Sequence, residues 1–355
     1  MAHELEHSRS MIYVGDIPWH ELGIALETAP ASVAEAITAA DLGWTVEKQP
    51  LFLADGTQVD RWAVRRLSDN RVLGTVGPDY TCIQNADAFS PLDPFLKAGV
   101  ATIETAGSLK GGSRVWMLAK VNRADMQIAE GDTVAKYLLA TTGHDGMSSF
   151  RLAITPIRVV CMNTLSAAIN GKSDTIRFSH FKDATAAIKD LDATIERIDG
   201  RFEESAKLFR ALAGVKVRSQ ADLRKYIDLV FPMAKKPESL DTPAPIVNGA
   251  DILSGLLAKP HVSGQPSTFS PEGGSVLEED KRRIHEDIIR LFEIGRGNTN
   301  PAIAGTAWAA YNAVTEYNTH ERGRDADTRL GNLWFTQAGP VAKALPAAVS
   351  TFLSA

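Results

Sequence analysis

The spacing of apolar residues changes once along the chain, and that change limits what it can fold into. Between residues 44 and 156, short runs alternate apolar with polar or carry β-branched residues, and Gly, Asp and Asn interrupt them. Alternation of this kind lines one face of a sheet. From residue 182 the period lengthens: Ile188, Leu191, Ile195, Ile198 and Phe202, then Ala206, Phe209 and Leu212, recur at helical steps. A strand-rich half followed by a helical half predicts an α+β chain. The expected architecture is one mainly antiparallel sheet over residues 44–156 backed by helices, not a doubly wound parallel sheet.

Local signals place the elements. Ser32 with Glu35 three residues on forms a capping box, so residues 31–42 are predicted as a helix that Gly43 stops. Trp44-Thr45-Val46 begins an extended run. Asp55-Gly56 makes a hairpin between Gln49–Leu53 and Gln58–Leu67, and Ser68-Asp69-Asn70 turns the chain into Val72–Val76. Residues 85–98 read as a helix around Pro91 and Pro94. Strands follow at Thr102–Ala106, Arg114–Val121, Thr133–Thr141 and Ser148–Ile154; Pro156 breaks the last, and a helix is predicted over 158–169. Further helices are expected at 182–213, 219–232, 279–294 and 301–319. Residues 237–278 are rich in Pro, Gly and Ser and read as a long irregular insertion. The chain therefore divides into a sheet-rich core domain (1–180), a helical segment (181–236), the insertion (237–278) and a C-terminal helical segment (279–355).

Bulk properties exclude some classes. The 355 residues are 44% hydrophobic and 23% charged, as in ordinary globular proteins. No apolar run reaches the ~18 residues of a membrane span. Glu4, Glu6 and Asp16 leave no apolar stretch for a signal peptide near the start. Cys82 and Cys161 do not make a disulfide framework, so a reducing bacterial cytoplasm is the expected compartment. A net charge of −5 argues against a nucleic-acid partner, but the charge is uneven. Residues 1–60 hold two Lys/Arg against ten Asp/Glu, residues 61–180 fourteen against ten, and the rest 22 against 23. The basic middle third is either a solvated face or a polyanion site.

Residues 143–166 place His144, Asp145, Arg151, Arg158, Asn163 and Thr164 among apolar neighbours. Arginines in such company are costly unless each meets an anion or an acceptor. A structural carboxylate or an anionic ligand near Arg151 and Arg158 is therefore expected. The loop Gly107–Arg114 could cradle a phosphate with backbone N–H groups, Lys110 and Arg114. It lacks a Walker ending and leads into a strand, so nucleotide hydrolysis is not expected, and a plain hairpin turn is the simpler account. Most tryptophans are core anchors. Trp116 is the one placed to stack on a base, because Lys110 and Arg114 precede it. His144-Asp145 and His20-Glu21 lack metal-ligand spacing, and Asp145 between Gly143 and Gly146 reads as a turn residue. No metal or cofactor is expected. Cys161, beside Val159, Val160 and Met162, reads as a buried structural thiol. The run His320–Arg329 has balanced charge and reads as a solvated loop or helix face, or as a subunit contact.

Residues 143–166, together with Pro18–Gly23, Ala106–Trp116, and Gly305–Trp308 continuing to Asn312–Tyr317, resemble a family of uncharacterised proteins encoded by phages and plasmids. These stretches span nearly the whole chain in order. The resemblance implies a mobile-element origin and no particular chemistry. The element order, a helix, a strand after Gly43-Trp44 and a β meander packing back on a helix, is also similar to that of the single-strand annealing superfamily of phage and eukaryotic recombination. This resemblance implies a homo-oligomeric ring or filament holding single-stranded DNA along a basic groove, with no membrane partner. The residues expected to line the groove are Arg65, Arg66, Lys110, Arg114, Trp116, Arg151, Arg158, Lys172 and Arg177. Two other readings stand beside it: an enzyme that grips a small anionic or nucleotide substrate with Arg151 and Arg158, and an accessory protein acting through protein contacts.

Overall fold

The computed structural model describes residues 11–15, 23–148, 150–158, 163–164, 175–177, 191–232, 278–323 and 339–354. The large sheet contains β1 (Met11–Val14), β2 (Ile24–Leu26), β6 (Ala101–Leu109), β7 (Arg114–Val121), β8 (Met126–Ala129), β9 (Asp132–Gly143), β10 (Arg151–Arg158), β11 (Asn163–Thr164) and β12 (Thr175–Arg177). Its order is β11-β10-β9-β7-β6-β1-β2, with β12 beside β10 and β8 beside β9. The pairings are antiparallel except β1–β2, which is parallel. Strands β3 (Val46–Phe52), β4 (Gln58–Arg66) and β5 (Val72–Val76) form a separate three-stranded antiparallel meander.

The chain is thus α+β, but its strand-rich part is two sheets where one was expected. The cause lies after β5. The chain leaves through Gly77-Pro78 into α2 (Asn85–Phe89) and α3 (Asp93–Lys97), so β5 and β6 are not hairpin neighbours. The predicted helix over 85–98 is itself divided. Pro91 and Pro94 each lack a backbone donor, and a 3₁₀ turn at Ser90–Leu92 separates the two short helices. Helix α1 (Val33–Ala39) starts as its capping box predicts. The Ser32 hydroxyl accepts from the Glu35 N–H at 3.2 Å, and the Glu35 carboxylate accepts from the Ala31 N–H at 2.8 Å.

A second expectation fails at Pro156. The strand does not end there, and no helix begins at 158: β10 continues to Arg158, and Asn163–Thr164 pair back on it. Pro156 stands opposite Lys136 of β9. On the other edge of β10, β12 pairs with residues 151–153 and β11 with residues 157–158. The proline lies between these two pairings, where a missing N–H breaks no described ladder bond. The remainder of the predicted 158–169 helix lies outside the described residues.

The second half is helical: α4 (Leu191–Ala213), α5 (Gln220–Val230), α6 (Glu278–Ile294), α7 (Ala307–Glu316) and α8 (Pro340–Ala348), with π turns at Tyr317–Glu321 and Val349–Leu353. Ser219 and Thr306 cap α5 and α7 by accepting from the Asp222 and Ala309 N–H groups at 3.1 and 3.2 Å. The expected insertion at 237–278 lies outside the described residues apart from Glu278. No helix among the described residues is long and apolar enough to cross a membrane.

Both faces of the large sheet are buried, and β7 shows how. Val115, Met117, Ala119 and Val121 point to the face covered by the helices, within a single core that runs from Ile12 to Phe352. Trp116 and Leu118 point the other way, into a second cluster with Met11, Leu109, Ala135, Tyr137, Leu139 and Ile157. A strand buried on both sides reads as continuously apolar, as Val-Trp-Met-Leu-Ala does here.

Candidate nucleic-acid interface

Two turns of the large sheet meet the small sheet, and glycines permit the approach. The first turn, Lys110–Gly112, joins β6 to β7 with three successive positive φ values of 52, 63 and 91°. A Cβ on Gly111 would come within 2.2 Å of the Arg71 guanidinium carbon, and one on Gly112 within 2.9 Å of Arg66 Nη1 and 3.1 Å of the Trp44 ring. The second turn, at 143–148, follows β9. A Cβ on Gly74 of β5 would stand 2.5 Å from the Asp145 Cα, and one on Gly146 2.7 Å from the Thr75 carbonyl oxygen. The docking brings Arg66 and Arg71 from the small sheet beside Lys110 and Arg114 from the large one.

The cations are held in place. Arg66, buried, donates from Nε and Nη2 to the two Asp69 carboxylate oxygens at 2.9 and 2.5 Å and lies 5.2 Å from the Trp44 ring centroid. That guanidinium holds the Asp69 carboxyl down to about 2, with help from the Arg71 N–H. Arg114 donates from Nε to Asp145 Oδ2 at 3.1 Å. Asp145 also accepts from the Met147 and Ser148 N–H groups at 2.9 and 2.8 Å and from the Ser148 hydroxyl at 3.0 Å. Burial pushes the Asp145 carboxyl up, but these donors outweigh it and leave it below the ordinary range. Lys110 and Arg71 are exposed.

His144 is not a ligand or a base in this arrangement. It is buried, its Nε2 lies 2.9 Å from Asn85 Oδ1, and its ring meets the Trp44 edge at 5.2 Å. Burial pushes its pKa down to about 4, so it is neutral at pH 7. It packs against Trp44 edge to face, and Arg66 lies over the same ring. No group of three His, Cys, Asp or Glu placed to hold a metal ion occurs among the described residues. His20, Glu21 and Cys161 lie outside them.

Of the residues expected from sequence, Arg66, Lys110 and Arg114 come together. Arg65 does not. It alternates with Arg66 along β4, so it faces the opposite side of the small sheet, where it pairs with Glu47 at 2.8 Å. Trp116 is corrected outright: it is fully buried, donates from Nε1 to Thr105 Oγ1 at 3.1 Å, and has no face open to a base. Arg151 sits opposite Arg177 of β12 and, through Thr141, in the same cross-strand row as Trp116. Arg151 and Arg158 stand seven positions apart on β10, about 23 Å of strand. They cannot clamp one small anion. Lys172 lies outside the described residues. The sequence reading missed Arg71 and Trp44. The signal for Arg71 was its place directly after the Ser68-Asp69-Asn70 turn, where Asp69 Oδ1 accepts its N–H at 3.2 Å.

The profile of a family described as a domain of unknown function, DUF932, matches residues 72–334. No curated protein and no solved structure matches the chain.

Proposed function

We propose that this chain, which belongs to the DUF932 family by a match over most of its length, is a single-stranded DNA-binding protein that works without nucleotide hydrolysis. One observation carries this reading: Arg66, Arg71, Lys110 and Arg114, drawn from two sheets, gather at one glycine turn. Asp69 and Asp145 already bind Arg66 and Arg114, which fixes those two guanidinium groups in place. Arg71 and Lys110 are the exposed members and are the ones to contact phosphates. The turn feeds a strand, so no helix N-terminus is available to cradle a nucleotide triphosphate. Strand annealing in phage or plasmid recombination or replication, inside a bacterial host cell, is the use that fits the mobile-element resemblance. Assembly into a ring or filament would repeat the cationic turn along a continuous track.

The test is fluorescence anisotropy with labelled oligo-dT and a matching duplex across a salt series. For single strands the logarithmic salt slope is about −0.7 per neutralised phosphate. The Arg71→Ala/Lys110→Ala double variant should bind oligo-dT more weakly and lose about 1.4 from that slope. A folded double variant that binds like wild type would remove this site. Absence of binding by the wild type at low salt would remove the function and leave the accessory, protein-contact reading.

A further inference from the structure

The small sheet exposes apolar side chains at both of its ends. Residues 52–58, at the tip of the β3–β4 hairpin, are exposed without a break, and so are residues 67–72, which run from the end of β4 into β5. Each run carries two large apolar side chains. Phe52 and Leu53 at the tip are 58% and 55% exposed, and Leu67 and Val72 at the other end are 44% and 55% exposed. Apolar side chains grouped in this way mark contact sites, which scattered ones do not.

Both ends are held in shape. At the tip the Leu53 N–H donates to the Thr57 carbonyl at 2.8 Å, the Gly56 N–H to the Leu53 carbonyl at 2.9 Å, and the Thr57 N–H to Asp55 Oδ1 at 2.9 Å. At the other end the Arg66 N–H donates to the Arg71 carbonyl and the Leu67 N–H to the Thr45 carbonyl, each at 2.9 Å. A partner therefore has little to order on either surface. β5 pairs with β4 only from Trp62 to Arg65, so the tip stands out beyond the third strand as a two-stranded ribbon. Gln58 and Arg66 are eight strand steps apart, about 26 Å, so the two ends of one molecule cannot cover each other.

The long edges of the sheet are closed to a partner strand. The Val46 N–H donates to Gln84 Oε1 at 3.0 Å, Gln84 Nε2 donates to the Val46 carbonyl at 2.9 Å, and Pro50 has no N–H to offer. On β5, Gly74 lies so close to the 143–148 turn that a Cβ would stand 2.5 Å from the Asp145 Cα. The ends are what a partner can reach, and charge decides which end meets which. The tip has exposed Asp55 and Asp60 against Arg61, while the other end has exposed Arg71 and, beside it, Lys110. Asp69, also at that end, is already bound by Arg66. Tip on tip, or turn on turn, sets like charges face to face, whereas tip on turn sets opposite charges together.

We propose that the β3–β4 tip of one molecule docks on the Leu67–Val72 end of the small sheet in a second copy of this chain. Phe52 and Leu53 cover Leu67 and Val72, with Asp55 and Asp60 facing Arg71 and Lys110 at the rim. The two partners use different surfaces, so the contact propagates: it makes a ring where the rotation closes and a filament where it does not. This contact supplies the join for the assembly proposed above, and it stands without DNA.

Sedimentation velocity of the full chain at rising concentration tests it. Wild type should form species larger than a dimer. Phe52→Asp/Leu53→Asp and Leu67→Asp/Val72→Asp should each associate at least tenfold more weakly. An equimolar mixture of these two variants should form dimers and nothing larger, because one intact tip meets one intact turn end. All four positions are exposed, so both variants should keep the wild-type urea midpoint. Should either fail to fold, Asp55→Lys/Asp60→Lys should still weaken association severalfold. A monomeric wild type, wild-type assembly in both double variants, or a mixture that stays monomeric would overturn the contact. Wild type that stops at a dimer would overturn it too, in favour of a like-with-like interface. Assembly without oligo-dT binding would remove the DNA reading alone, and a monomeric wild type that binds oligo-dT would remove this contact alone.

Discussion

Two residues at the junction of the sheets have effects that go beyond their own contacts. His144 is buried and neutral, with a pKa pushed from 6.5 down to about 4. The unfolded chain therefore takes up a proton that the folded chain refuses. The stability that depends on neutral His144 is complete above pH 6.5 and declines as pH falls toward 4, by up to about 3 kcal/mol. Urea titrations across that window should show a shallower pH dependence for His144→Gln than for wild type, and identical slopes would refute the assignment. Gly74 is the other. A Cβ there meets Asp145 backbone atoms at 2.5–2.7 Å, and backbone has no rotamer with which to yield. Gly74→Ala should cost about 3 kcal/mol. Gly77, three residues on, has nothing within 4 Å of an added Cβ, so Gly77→Ala should be close to neutral. Equal midpoints for the two variants in chemical denaturation would contradict this account of the docking.

At the scale of elements, a buried bond among the described residues joins the two halves. Trp308 of α7 donates from Nε1 to Asp132 Oδ2 at 2.6 Å, and both residues are fully buried. Asp132 begins β9, the strand that ends at the 143–148 turn. Phe209 of α4 packs on the same indole at 4.8 Å between ring centroids. Replacing the indole by a phenyl ring keeps most of the packing and leaves the buried Asp132 oxygen without this donor. Trp308→Phe should therefore lose about 2–3 kcal/mol, more than a surface helix substitution would cost. Thermal denaturation of the variant, with Trp62→Phe as a partly exposed control, checks the difference.

For the molecule as a whole, the two halves share their core. The helix-covered face of the large sheet and residues of α4 to α8 belong to one apolar cluster that includes Ile12, Met117, Phe209, Trp308 and Phe352. A chain cut after residue 180 would expose the Met117 and Leu138 face to water. A fragment of residues 1–180 should show no cooperative urea transition, although its strands are all present. A sharp transition in that fragment, with the full chain's slope scaled to its length, would show instead that the sheets stand alone.

The sequence by itself determined where several helices start and where the chain turns, though not the strand through Pro156, because capping, turn geometry and side-chain period act over a few residues. Ser32 and Ser219 start helices, Asp55-Gly56 turns a hairpin, and the helical period carries Leu191–Ala213, all within reach of local chemistry. Only the tertiary structure decided which strands pair and which face each residue meets. Val-Trp-Met-Leu-Ala is apolar on both faces, so its period could not show that Trp116 turns inward. Pro156 reads locally as a strand breaker and becomes tolerable only because its open edge falls between two partner strands. Arg66 and Lys110 are 44 positions apart, and they meet because Gly74, Gly111, Gly112 and Gly146 leave room for one sheet to rest on the other's turns. Contacts of that separation are set by the free energy of closing and burying whole surfaces, a quantity to which no local stretch of sequence corresponds.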